Sequence, residues 1–138
     1  MPAHNVFHAA VKQGLIKEGW TITDDPLYIE FGTLDVYIDL AAEKLIGAEK
    51  EGERIAVEVK SFLGPSLVTD FHAALGQFLN YRIVLDGKDP ERVLYLAIPE
   101  TTYTAFFTLL LAQIAVKRHG VHLLVYDPES EALVQWIK

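Results

Sequence analysis

Ile55-Ala56-Val57-Glu58-Val59-Lys60, running on into Ser61-Phe62, is β-branched or apolar at most positions. That composition suits a buried strand. Strand side chains alternate in direction, so Glu58 and Lys60 project from one face and Val59 from the other. Two opposite charges side by side on an otherwise apolar strand call for a reason. They are either an ion pair or part of a site.

Working downstream, Gly64-Pro65-Ser66 breaks the chain, and Ser66 or Thr69 can cap a helix running to about Leu85. Its broad apolar face carries Phe71, Ala74, Leu75, Phe78 and Leu79, and Asp86-Gly87 should end it. Arg92 to Ile98 is a near-continuous apolar run, the pattern of a strand covered on both faces. Pro99 opens a helical stretch to Arg118, closed by basic residues and Gly120. Within it, Phe106, Phe107, Leu110 and Leu111 read as core. Strands at 121–126 and 132–137 flank a turn at Asp127-Pro128-Glu129-Ser130.

Upstream, residues 3–19 read as a helix, with Phe7, Ala10, Val11, Gly14 and Leu15 at three- and four-residue spacing. Thr21 to Thr23 extend and Asp24-Asp25-Pro26 turns. Leu27, Ile29 and Phe31 alternate with Tyr28 and Glu30 as a half-buried strand. From Leu34, the residues Leu34, Val36, Ile38 and Leu40 should share one face of a continuous strand, and Asp35, Tyr37 and Asp39 the other. An extended or bulged path over 41–50 and a turn at Glu51-Gly52 then lead back into the opening strand.

The resulting order is α-β-β-β-α-β-α-β-β. Short turns make the early strands an antiparallel meander, and the helix between the third and fourth strands allows a parallel, right-handed crossover. The expectation is one α/β (α+β mixed-sheet) domain spanning 1–138, with helices on the sheet's faces. The chain has 138 residues, half of them apolar, and no cysteine, which excludes a disulfide framework or a thiolate zinc site. The longest apolar run is shorter than the roughly 18 residues a bilayer span needs, and no signal stretch opens the chain, so no membrane role and a cytoplasmic location are expected. A net charge of −7 argues against a plain nucleic-acid coat protein. A nucleic-acid role must rest on a local patch, a metal or a partner.

Asp39 lies on the polar face of one strand and Glu58 on its antiparallel neighbour. Adjacent carboxylates repel unless a cation sits between them, and Mg2+ is commonly held by one or two carboxylates plus waters and phosphate. Such an ion lowers the pKa of a bound water and stabilises charge on a phosphate oxygen. A lysine on the same face can orient or deprotonate that water. A phosphodiester nuclease needs this set. The plainer explanation is a Glu58–Lys60 surface pair with Asp39 as a strand-end residue.

Asp39, followed nineteen residues later by Glu58-Val59-Lys60, resembles the PD-(D/E)XK nuclease signature. The element order resembles that superfamily's restriction-endonuclease-like αβββαβ core, extended by a C-terminal helix and β-hairpin. Gln77 and Tyr81, four apart on one helix face, resemble the Gln-x-x-x-Tyr motif of the RecB-like branch. More closely, Met1 to Lys12, Asp39-Leu40-Ala41-Ala42-Glu43-Lys44-Leu45-Ile46, Glu58 to Ser66 and Ala74-Leu75-Gly76-Gln77 resemble the cyanobacterial XisH family, named for controlling fdxN element excision during heterocyst differentiation. The resemblance implies an endonuclease-like protein acting on DNA in programmed DNA recombination, beside a site-specific recombinase and a small XisI-type companion. It implies Mg2+ or Mn2+ held by Asp39, Glu58 and the Val59 carbonyl, water activated by Lys60, and Gln77 positioning water or phosphate with support from Tyr81. Cutting both strands takes two sites, which is compatible with a homodimer.

Many members of that superfamily carry a glutamate in the first helix. Here the region holds Phe7 and His8, with no acid before Glu18. His8 is the candidate stand-in, with a helix-surface histidine as its plainer reading. Two functions follow: a metal-dependent deoxyribonuclease, or an inactive nuclease fold serving as a DNA- or protein-binding accessory factor.

Overall fold

The two apolar runs lie side by side in the sheet. β5 (Glu53–Val59) pairs in parallel with β6 (Val93–Pro99), the two being joined through helix α2 (Leu67–Lys88). Both strands are buried on both faces along most of their length, as strands covered by helices on either side must be. The computed structural model, which describes residues 3–44 and 52–138, completes a six-stranded mixed sheet. Its order is β1-β4-β5-β6-β7-β8, where β1 is Thr21–Asp24, β4 Leu40–Lys44, β7 Leu123–Asp127 and β8 Ala132–Ile137. β6 and β7 are parallel, and β8 returns antiparallel at the edge.

Helix α1 (Ala3–Lys17) covers one face of the sheet. Val11, Leu15 and Trp20 pack there against Leu40, Val57, Val59, Leu124 and Tyr126. Gly14 permits the close approach to β8, because a Cβ at that position would meet Leu133 Cδ2 at 2.7 Å. Helix α2 covers the other face, burying Phe71, Ala74, Phe78 and Leu85 against Ala56, Leu96 and Ile98. Ser66 caps α2 as expected, its Oγ accepting from Thr69 N–H.

The α/β class matches the expectation, but five strands stand between α1 and α2 where three were expected. The early strands do not form one meander. β1 pairs with β4, while β2 (Leu27–Phe31) and β3 (Leu34–Ile38) form a separate two-stranded hairpin. The strand expected from Leu34 through Leu40 is broken at Asp39. Ile38 then faces the α2 side and Leu40 the α1 side, so the two do not share a face. β4 is extended as expected as far as Lys44, and the rest of the path to Glu51 lies outside the described residues.

Helix α2 runs past Asp86-Gly87 to Lys88, because Asp89 rather than glycine ends it. The stretch after Pro99 is not one helix. A short α3 (Glu100–Thr102) passes into a π-turn (Tyr103–Phe107), and α4 (Leu110–His119) starts afresh. Gly120 closes α4 in the left-handed region at φ 60. Phe106 and Phe107 are core as expected, but Leu110 and Leu111 are 76% and 53% exposed and point to solvent. No helix among the described residues is long and apolar enough to cross a membrane.

Candidate metal centre at the end of β5

The break at Asp39 builds the candidate site. Leu40 pairs with Val57, so the residue before it arrives opposite Glu58. The backbone N–H of Asp39 donates to Glu58 Oε1 at 3.2 Å, and Val59 N–H donates to Asp39 Oδ2 at 2.8 Å. Each carboxylate is therefore held by the other residue's strand. Lys60 Nζ stands 3.4 Å from Glu58 Oε2. The same-face placement of Glu58 and Lys60, and the pairing of Asp39 with them, are as the sequence suggests.

Burial separates these groups. The Glu58 side chain is 8% exposed and that of Lys60 31%. Burial pushes the Glu58 carboxyl from 4.5 up to about 7, and the charge of Asp39 adds to the rise. Lys60 and the Asp39 N–H work in the opposite direction without cancelling it. One ammonium against two carboxylates leaves the cluster short of positive charge.

Helix α2 closes the site from the side. Gln77 Nε2 donates to Tyr81 OH at 2.9 Å. Burial raises the Tyr81 hydroxyl pKa, and so does the charge of Glu58 and Asp39, which puts that hydroxyl within their field. Gln77 Oε1 is buried and accepts no hydrogen bond from the described residues, an acceptor facing into the fold at a cost.

His8 meets a carboxylate on the turn after β1. Its Nε2 donates to Asp25 Oδ1 at 2.8 Å while Lys12 Nζ takes Oδ2 at 2.8 Å, tying α1 to the turn after β1. His8 is half-buried rather than freely displayed on the helix surface.

Two supports were not legible in the sequence. Lys60 N–H continues the ladder to Ala97 O at 3.0 Å, while its carbonyl accepts from Tyr126 OH at 3.4 Å. Tyr126 is fully buried two strands away, and no local pattern links it to Lys60. Beyond Lys60, Phe62 takes a left-handed φ of 53 with its ring buried, and Asp70 accepts from Gly64 N–H. Strain of this kind persists where surrounding packing dictates it. The loop walls an open groove of about 270 Å³ beside Lys60, lined also by Leu63, Asp70 and Ala74.

No three His, Asp or Glu side chains gather at ligating distance among the described residues. The available donor set is two carboxylates and backbone oxygen, which suits a hard ion that keeps several waters. A buried carboxyl with a raised pKa beside a second carboxylate is also what a cation site presents when no cation compensates it.

The XisH protein family model matches residues 1–134. This chain belongs to the XisH family. Two solved relatives agree over nearly the whole length. An XisH family protein from Nostoc punctiforme PCC 73102 is 50% identical with a TM-score of 0.88, covering 96% of this chain and 99% of that one. A protein from Anabaena variabilis described as an fdxN element excision controlling factor is 49% identical with a TM-score of 0.87, covering 97% and 99%. A search of curated proteins finds no match.

Proposed function

We propose that this XisH protein is a metal-dependent, endonuclease-like phosphodiester hydrolase acting on DNA during excision of a genetic element. One observation carries the reading: at the C-terminal end of β5 two carboxylates are locked to each other's strands with a lysine beside them. The relative described as an excision controlling factor supports the biological setting, where a site-specific recombinase and an XisI-type companion would be partners.

Asp39 and Glu58 would hold Mg2+ or Mn2+, with the Val59 carbonyl as a further ligand. When bound, the ion would acidify a water and stabilise charge on a phosphate oxygen. Glu58 would have to release its proton to serve as a ligand. Lys60, held through its backbone by Ala97 and Tyr126, orients the attacking water as an ammonium or, in its neutral amine form, takes the water's proton. Gln77, anchored by Tyr81, orients water or the scissile phosphate. The groove beside Lys60 is the route by which a phosphate backbone would reach the site.

The testing experiment is incubation with duplex, branched and single-stranded DNA under Mg2+ or Mn2+. Cleavage that needs the metal and is lost in Lys60→Ala supports the reading, and no metal-stimulated cleavage of any substrate overturns it. A second reading, the fold as a non-catalytic recruitment module, draws on the missing first-helix acid, since His8 is engaged with Asp25. That reading predicts DNA or protein binding unchanged by Lys60→Ala.

A further inference from the structure

The β2–β3 hairpin turns Ile29 and Ile38 into the core and its other face to solvent. Tyr28 and Glu30 of β2 and Asp35 and Tyr37 of β3 are all exposed there. The register sets Tyr28 opposite Tyr37 and Glu30 opposite Asp35. Like charges directly opposite on an antiparallel pair destabilise it.

No basic side chain pairs with either carboxylate among the described residues. Between Trp20 and Lys44 the sequence holds six acidic residues and no Lys, Arg or His. Asp25 meets His8 and Lys12, and Glu43 meets Arg54 and Arg92. Glu30 and Asp35 form no salt bridge among the described residues.

The rings beside them are set in place. Tyr28 OH donates to Asp35 Oδ1 at 2.8 Å, and the Tyr28 and Tyr37 centroids are 5.3 Å apart at a 39° tilt. The face thus joins two exposed, oriented π surfaces to two carboxylates that make no salt bridge among the described residues. The Tyr28 hydroxyl offsets part of the charge on Asp35, and both carboxylates remain exposed to a cationic group from outside.

We propose that this hairpin face docks an arginine-bearing segment of a protein partner, with a guanidinium over the Tyr28–Tyr37 rings and its N–H groups on Glu30 and Asp35. Arginine fits better than lysine because its plane stacks on aromatic rings while its fork of donors reaches carboxylates. The two carboxylates repel a phosphate backbone, so this surface is unsuited to nucleic acid. The inference is independent of the nuclease reading and stands or falls separately.

The test uses the whole chain with an octa-arginine peptide, an octa-lysine peptide and a short DNA duplex as probes. In amide NMR titrations of the unaltered protein, octa-arginine should shift residues 28, 30, 35 and 37, and octa-lysine should bind more weakly. Tyr28→Ala/Tyr37→Ala, which leaves the charge unchanged, should weaken octa-arginine binding about tenfold. Glu30→Gln should also weaken binding while raising the thermal midpoint of the free protein. The proposal is overturned if octa-arginine shifts other residues instead or binds no better than octa-lysine, or if duplex DNA moves the same four residues. Because the wild-type shift map needs no substitution, a variant that fails to fold leaves the test intact.

Discussion

The two ends of β5 hold similar side chains and resolve their charge differently. At the N-terminal end, Arg54 and Arg92 face Glu43 and Asp89. Arg54 holds both Asp89 oxygens at 3.0 and 2.7 Å and reaches Glu43, while Arg92 donates to Asp89 and to the Ile55 carbonyl. Two cations meet two anions there. At the C-terminal end one lysine meets two carboxylates, and the buried Glu58 carboxyl is pushed up to about 7. The balanced cluster stitches β4, β5, β6 and the end of α2 together. The unbalanced cluster keeps a charge deficit that a bound cation would fill.

Breaking each end should therefore produce different failures. Lys60→Ala should lower metal-dependent DNA cleavage by about a hundredfold or more, the range for a positioned acid or base. Its thermal midpoint should move less than in Arg92→Ala, because Lys60 is partly exposed and Glu58 can keep a proton when its partner is lost. Retained cleavage would remove Lys60 from the chemistry.

Arg92→Ala should do the reverse. It strips a side chain only 5% exposed from Asp89 and the Ile55 carbonyl. Breaking such a buried pair costs about 3–5 kcal/mol, readable as a lower urea midpoint. Mn2+ affinity of the folded fraction should be unchanged.

Glu58 sharpens the contrast through pH. Its folded pKa of about 7 lies above the ordinary 4.5. Between those values the folded chain keeps a proton that the unfolded chain has lost. Stability therefore falls as pH rises through this window, by on the order of a few kcal/mol. Glu58→Gln should abolish that slope and be more stable than wild type at pH above 7 without metal. Denaturant melts across the window that show identical slopes would contradict the assignment.

The smallest effect belongs to α2. Tyr81→Phe leaves Gln77 Nε2 without its acceptor, costing about 1 kcal/mol of stability. It should weaken cleavage less than Lys60→Ala does.

Much of this was legible locally. The apolar runs of β5 and β6, the Ser66 cap, and the shared face of Glu58 and Lys60 all follow from composition and period. What escaped depended on distant partners. Leu34-x-Val36-x-Ile38-x-Leu40 alternates without interruption, yet Asp39 leaves the ladder because its carboxylate accepts from Val59 N–H on another strand. Asp86-Gly87 looked like a helix stop, but Asp89, held by Arg54 and Arg92, supplies the actual end. The π-turn at Tyr103–Phe107 is set by burying Phe106 and Phe107, while Leu110 and Leu111 stay outside. A run of uniformly helix-compatible residues gives no sign of such a break.

The most direct measurement is calorimetric titration of the metal-free protein with Mn2+, run at pH 6 and pH 8 alongside Asp39→Asn. The account predicts one site per chain, weaker at pH 6 because Glu58 must release its proton, and lost in Asp39→Asn. Absence of Mn2+ binding, or binding indifferent to Asp39→Asn, would contradict it.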